Sequence, residues 1–259
     1  MDSNDSNRSV SMIECCIDLN VDVGEGGAMD GELIAMGSSA NIACGGHAGD
    51  AGTLRAAIDA CMARGVAIGA HPGHEDPDHF GRRPLNLPSE KIRSALLRQL
   101  DRFARCAALA GAPIHHVKFH GALYHQANND PALADTLAAA VAGIFPGCFI
   151  YTTARGSMAG AAGDCGLIVV PEGFADRRYT AAGGLVPRGE PGAVITDPAT
   201  AVAQALEIAR HQRVCTVDET WLPLPARTLC THGDTPCARQ IMQSIITAMA
   251  RHGIRLMAP

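Results

Sequence analysis

The sequence predicts an α/β domain, with a (β/α) barrel favoured over a doubly wound sheet. Three observations carry this. Short apolar runs alternate with helical patterns along the chain, which implies a mostly parallel sheet covered by helices. Polar, ionisable residues gather where the apolar runs end, the layout of a barrel enzyme's C-terminal face. The length, 259 residues, suits one barrel of about 250 residues.

The elements follow in order. Residues 13–19 read as a strand and 40–44 as the next. Residues 53–64 read as a helix, because Leu54, Ala57, Ile58, Cys61 and Met62 fall on one stripe. Gly65 stops it, and 66–70 follow as a strand. Pro88 and Ser89 start a long helix that ends near Ala110, before Gly111. Residues 116–119 form a strand. Asp130 caps a helix over 131–142. Strands at 149–152 and 167–171 flank a short helix at 157–163. Asp197 caps a helix over 198–211. Residues 214–217 and 228–232 read as strands, and 235–251 as the last helix. No linker divides the chain, so residues 12–259 read as a single barrel domain behind a polar, disordered tail at 1–11.

Composition excludes several classes. Hydrophobic residues make up 47% and charged ones 18%, enough for a large core and too apolar for disorder. The net charge of −5 and an aromatic content of 4% argue against nucleic-acid binding. No apolar run approaches the roughly 18 residues of a membrane span. The ten cysteines are dispersed without a CxxC pair. They read as buried thiols of a reducing, cytoplasmic protein rather than a disulfide framework or a zinc ribbon.

The chemistry lies at the strand ends. Alternation over 17–23 puts Asp18, Asn20 and Asp22 on one face and the aliphatics on the other. Asn41, His47, His71, Lys118, His120, Glu172, His232 and Asp234 follow at later strand ends. His47, His71, His120 and His232 each sit beside glycine or proline, which points to one shared polar site. Asp22 and Asp50 read equally well as caps of the following turn and helix. His115 and His116 read as edge residues, and His74, His79 and His125 as solvated loop residues. The Asp18-x-Asn20-x-Asp22 spacing fails as a calcium loop, because Val23 and Met29 stand where glycine and glutamate are needed. There is no Walker A sequence, no GxGxxG between strand and helix, and no Gly-x-Ser-x-Gly elbow.

At these strand ends the chain resembles the LamB/YcsF family. The matching blocks begin with Ile17-Asp18-Leu19-Asn20 through Gly24-Glu25, Asn41-Ile42-Ala43-Cys44-Gly45 with His47-Ala48-Gly49-Asp50, and Gly69-Ala70-His71-Pro72-Gly73. Phe80-Gly81-Arg82-Arg83 and Lys118 with His120-Gly121-Ala122-Leu123-Tyr124 continue the match. Phe174-Ala175-Asp176-Arg177, Leu185-Val186-Pro187-Arg188 and His232-Gly233-Asp234-Thr235-Pro236 complete it. The resemblance implies a distorted (β/α) barrel of about seven strands, similar to the carbohydrate deacetylases. It implies a subunit of an ATP-dependent 5-oxoprolinase. Such an enzyme opens the lactam of 5-oxo-L-proline to L-glutamate together with two other subunits, one of which could hold the ATP.

In that reading Asp18 or Glu172 is the general base. Lys118 and an arginine among Arg82, Arg83 and Arg188 stabilise negative charge or hold the substrate carboxylate. His120 and His232 supply protons, and Asn20 and Asn41 orient the amide. His47, His71, Tyr124, Arg177 and Asp234 complete the substrate site. An alternative reading is a metal-dependent deacetylase or amidohydrolase, with Asp18, His47 and His71 on a divalent cation. A third is a non-catalytic binding subunit.

Overall fold

The computed structural model describes residues 15–259. The expected tail at 1–11, the start of order at Met12 and residues 13–14 of the first strand lie outside the described residues. In chain order the elements are β1 (Cys16–Val23), α1 (Asp30–Met36), β2 (Ser39–Ala43), α2 (Ala51–Met62), β3 (Ala67–His71), α3 (Ser89–Ala110), β4 (Ile114–Lys118), α4 (Gly121–Asn129) and α5 (Pro131–Ile144). There follow β5 (Phe149–Thr152), α6 (Ser157–Asp164), β6 (Ile168–Phe174), α7 (Pro198–His211), β7 (Arg213–Cys215), β8 (Trp221–Pro223), β9 (Thr228–His232), α8 (Ala238–Arg251) and β10 (Arg255–Leu256).

Seven parallel strands close the barrel in the order β1, β2, β3, β4, β5, β6, β9 and back to β1. This is the distorted (β/α) barrel expected from the sequence. The strand expected at 214–217 is instead β7, which pairs antiparallel with β8 outside the ring. β10 adds two residues to the N-terminal end of β1. The helices α1 and α4 were hidden by the glycines around them: Gly26-Gly27 precedes α1, and Gly121 begins α4 with φ +51°. No helix among the described residues is long and apolar enough to cross a membrane. All ten cysteines are free thiols.

Local signals explain the helix starts. Asp50 accepts from the Gly52 and Thr53 amides at 2.8 Å, so it caps α2. Asp130 and Asp197 cap α5 and α7 in the same way. On α3 the buried stripe Ile92, Leu96, Leu100, Phe103 and Ala107 covers the barrel's outer face.

The two faces of the strands differ in kind. Ile17, Leu19, Val21 and Val23 of β1 join the apolar cluster beneath the helices. The alternate residues Asp18, Asn20 and Asp22 are also buried. Hydrogen bonds of Asn20 and Asp22 reach β4 and β6, which do not neighbour β1, so they run through the barrel interior. His116 Nε2 lies 2.7 Å from Asn41 Oδ1, spanning β3. His116 is fully buried, which corrects its reading as an edge residue. Gly69 makes this crossing possible, because a Cβ there would lie 2.1 Å from His116 Nε2.

Gly69→Ala should therefore destabilise the barrel by about 1–3 kcal/mol, the usual cost of overpacking. The urea unfolding midpoint checks this, and an unchanged midpoint contradicts it.

Candidate active site

The floor of the site is one ammonium group. β4 ends at Lys118, whose Nζ lies 2.9 Å from Glu172 Oε1 and 3.1 Å from Asp22 Oδ1. It also donates to Asn20 Oδ1 at 3.1 Å and to Cys230 Sγ at 2.9 Å. Lys118 is 2% exposed. Burial opposes its charge, yet Asp22 and Glu172 hold its pKa well above the ordinary lysine value. Burial would likewise raise Asp22, but His71 and Lys118 hold it well below the usual carboxylate range. Burial pushes the Cys230 thiol up, so it faces Lys118 uncharged.

Beneath this floor the interior polar groups satisfy one another. Asn41 Nδ2 donates to Asn20 Oδ1 and Asp22 Oδ1, both at 2.7 Å. Asn20 Nδ2 donates to Glu172 Oε1 at 2.9 Å and to Thr228 Oγ1 at 2.7 Å. Asp18 closes the lower end. It accepts from Ser38, from Ser39 at 2.7 Å and from Thr228 at 2.6 Å.

Three histidines and Glu25 form one wall. His47 Nε2 lies 3.0 Å from Glu25 Oε1, and His120 Nδ1 lies 3.4 Å from the same oxygen. His71 Nε2 faces His120 Nδ1 at 3.0 Å and Asp22 Oδ2 at 3.4 Å. The His47 and His120 rings stack at 3.6 Å. Burial and neighbouring charge lower His47 and His120 well below the ordinary histidine value, and raise Glu25 well above the ordinary glutamate value.

The mouth is cationic. Arg82 and Arg188 grip Asp234 from two loops, at 2.6 and 2.7 Å. Arg177 donates to the Val186 carbonyl at 2.6 Å. Arg177 Nε and Arg188 Nη1 are buried donors without a hydrogen-bond partner. His232 Nδ1 lies 3.0 Å from Asp176 Oδ1, and the His232 amide donates to Asp176 Oδ2 at 3.0 Å. The carboxylate thus fixes the ring with Nε2 turned away from it. Despite burial, which works the other way, His232 and Thr235 hold Asp176 down at about 2.

A cavity of about 420 Å³ joins floor, wall and mouth, a size suited to a small metabolite. Its lining includes Asp22, His71, Lys118, His120, Tyr124 and His232, with Arg82, Arg177 and Arg188 at the rim. Glu172 lines an adjoining cavity that shares Tyr124 and Phe174 with this one, and its Oε2 accepts no hydrogen bond.

Several expected residues stand elsewhere. Asp18 reaches neither the cavity nor the histidines, because its carboxylate is saturated by hydroxyls at the lower end. The expected trio Asp18, His47 and His71 therefore does not assemble; Glu25 and His120 join the two histidines instead. Asn20 and Asn41 lie under the floor, hydrogen-bonded to Lys118 and Asp22. Arg83 is exposed and pairs with His79, away from the cavity. His47 lies behind the lining, against Glu25. Asp234 holds the rim arginines. The residues missed are Asp22, Glu25, Asp176 and Cys230. Asp22 shares the alternating face of Asp18 and Asn20, so its signal was present.

The LamB/YcsF family model matches residues 17–259. A lactam utilization protein from Thermus thermophilus is 36% identical. Its structure has a TM-score of 0.87, covering 94% of this chain and 100% of that one. Weaker likenesses are a family 4 carbohydrate esterase from Streptomyces lividans, at 11% identity, TM-score 0.47 and 93% and 91% coverage, and a T48 deacetylase, at 13%, 0.48, and 94% and 87%. With the match spanning nearly every described residue and every element of the barrel ring, the chain belongs to the LamB/YcsF family.

Proposed function

We propose that this chain carries the site at which the lactam of 5-oxo-L-proline is opened to L-glutamate, in an ATP-coupled reaction completed by two partner subunits. The observation that carries this is the pairing of a buried, charged Lys118 on the cavity floor with three guanidinium groups at its mouth. That arrangement suits a small ligand with a carboxylate at one end and an amide oxygen at the other. The 36% identical relative is described as a lactam utilization protein, which agrees.

The chemistry explains the need for ATP. A five-membered lactam is a stable amide. Transfer of a phosphoryl group from ATP to the amide oxygen releases ADP and makes the carbon electrophilic. Water then adds to that carbon, and the ring C–N bond breaks as the nitrogen takes a proton. A second water releases phosphate and leaves the second carboxylate of glutamate. The chain contains no Walker A sequence, so this reading gives ATP to a partner subunit.

Each residue has a role in this reading. The guanidinium groups of Arg82, Arg177 and Arg188 hold the substrate carboxylate through charge-assisted hydrogen bonds. The Lys118 ammonium stabilises charge on the lactam oxygen, in place before it develops. Asp22, charged and at the cavity, orients the water and takes its proton. His232, its ring fixed by Asp176, gives a proton to the ring nitrogen. Tyr124 and Phe174 shape the apolar side.

Glutamate release from 5-oxo-L-proline and ATP tests the reading. It should appear only when this chain is mixed with its partner subunits. No glutamate, in a mixture whose partners work with another subunit of this family, would overturn it. Arg188→Gln should cut kcat/KM about 10- to 100-fold, the worth of one charge-assisted bond. The loss should vanish for 2-pyrrolidinone, which lacks the carboxylate; an equal loss for both substrates would contradict the assignment.

The Asp176–His232 pair makes a pH prediction. The Asp176 pKa is depressed in the folded protein, to about 2. Its contribution, on the order of 2 kcal/mol, is present above the unfolded value near 4. It is lost as pH falls through about 2. The stability gap between wild type and Asp176→Asn should hold at pH 5 and narrow at pH 3 in urea unfolding. A gap that widens on acidification would refute this.

A further inference from the structure

We propose that Glu25, His47, His71 and His120 form a binding site for one divalent transition-metal cation, built into the cavity wall. One ring nitrogen of each histidine and one oxygen of Glu25 lie within 4.8 Å of one another. The pair distances from Glu25 Oε1 to His47, His120 and His71 are 3.0, 3.4 and 4.0 Å, and His71 to His120 is 3.0 Å. These bracket the edge of about 3.3–3.4 Å in a tetrahedron with bonds of about 2.0–2.1 Å, the zinc–nitrogen length.

The hydrogen bonds on the outer ring nitrogens make the case stronger. His71 Nδ1 lies 2.9 Å from the Lys118 carbonyl, and His120 Nε2 lies 2.9 Å from the Phe80 carbonyl. A carbonyl accepts only, so each of these nitrogens carries the hydrogen. In the neutral rings, His71 Nε2 and His120 Nδ1 are then bare lone pairs. They face each other at 3.0 Å, beside a carboxylate oxygen. Two lone pairs aimed together repel unless something positive sits between them. A ring nitrogen pointing at a shared centre, with its other nitrogen bonded to a backbone carbonyl, is how metal-binding histidines are held.

His47 is stacked on His120 at 3.6 Å. Glycines make the packing possible: a Cβ on Gly73 would lie 2.8 Å from His47 Nδ1, and one on Gly81 would lie 2.6 Å from His47 Cβ. Three imidazoles and one carboxylate suit zinc, cobalt or nickel better than calcium or magnesium. The neighbouring group Asp22, Cys230 and His232 is unfit, because the Lys118 ammonium stands between Asp22 and Cys230. Since His71 and His120 also line the cavity, a bound cation would supply a Lewis acid at its wall.

The test needs no turnover. Tag-free full-length protein, purified without chelator, is analysed for metal, then stripped and titrated with Zn²⁺ and Co²⁺. The expected result is about one equivalent per chain, a visible Co²⁺ absorption of tetrahedral strength and a raised Tm. Loss of one ligand outweighs loss of a group that orients it, itself worth about 10- to 100-fold. Glu25→Gln, nearly isosteric, and His71→Ala should thus each weaken binding at least about 100-fold. His211→Ala, at an exposed helix end, should not. If His71→Ala fails to fold, Glu25→Gln decides. A wild type that takes up neither metal, or binding that survives Glu25→Gln, would overturn the site whatever the outcome of the lactam assay.

Discussion

The buried charge of Lys118 constrains the rest of the barrel interior. An ammonium taken out of water costs several kcal/mol unless it is paired and its donors are used. Here two carboxylates, an amide oxygen and a thiol surround it. Each of those groups then needs partners of its own. Asn41 serves Asp22 and Asn20, His116 serves Asn41, and Thr228 joins Asn20 to Asp18. The polar layers run from the lower rim to the cavity floor because each unpaired polar group is costly in a low-dielectric interior. This is why the barrel holds Asp, Asn, His and Lys where aliphatic layers are usual.

The fold was legible because strands and helices carry different periods. The stripe on α2 and α3 and the alternation on β1 needed no tertiary knowledge. The short α1 and α4 were not legible, since glycine at their starts signals a turn as strongly as a helix boundary. The site was legible by type more than by position. Alternation shows that Asp18, Asn20 and Asp22 share a face, but not which one reaches the open end. Four residues of strand rise about 13 Å, which separates the saturated Asp18 from the cavity residue Asp22. Strand register supplies that missing step. Asp22 pairs with His232, and Asp18 with Thr228. Glu25 and Asp176 sit just past strand ends, where no periodicity applies, and only the folded loops bring them to the histidines.

Above the floor, the cavity is divided by charge. On one wall, lone pairs converge at the imidazoles and Glu25. At the mouth, donors are in excess: Arg82 and Arg188 share one carboxylate, Arg177 bonds to a backbone carbonyl, and donors on Arg177 and Arg188 are unused. Lys118 lies between these regions and is already neutralised. In the proposed reaction its role is therefore to meet charge that appears as the ring opens, not to attract an anion from solution. Attraction falls to the arginines, whose charge is less compensated.

Under the proposed function, that division orders the substrate before any chemistry occurs. A carboxylate entering the mouth finds fixed, planar donors and loses its freedom to turn. The remainder of a small ring must then point inward, past Tyr124 and Phe174, toward Lys118 and Asp22. An amide oxygen reaching Lys118 gains little while neutral and much once it carries charge. In that reading, binding energy from the remote carboxylate is directed to the step that opens the ring, the condition under which a site accelerates a reaction rather than merely holding a substrate.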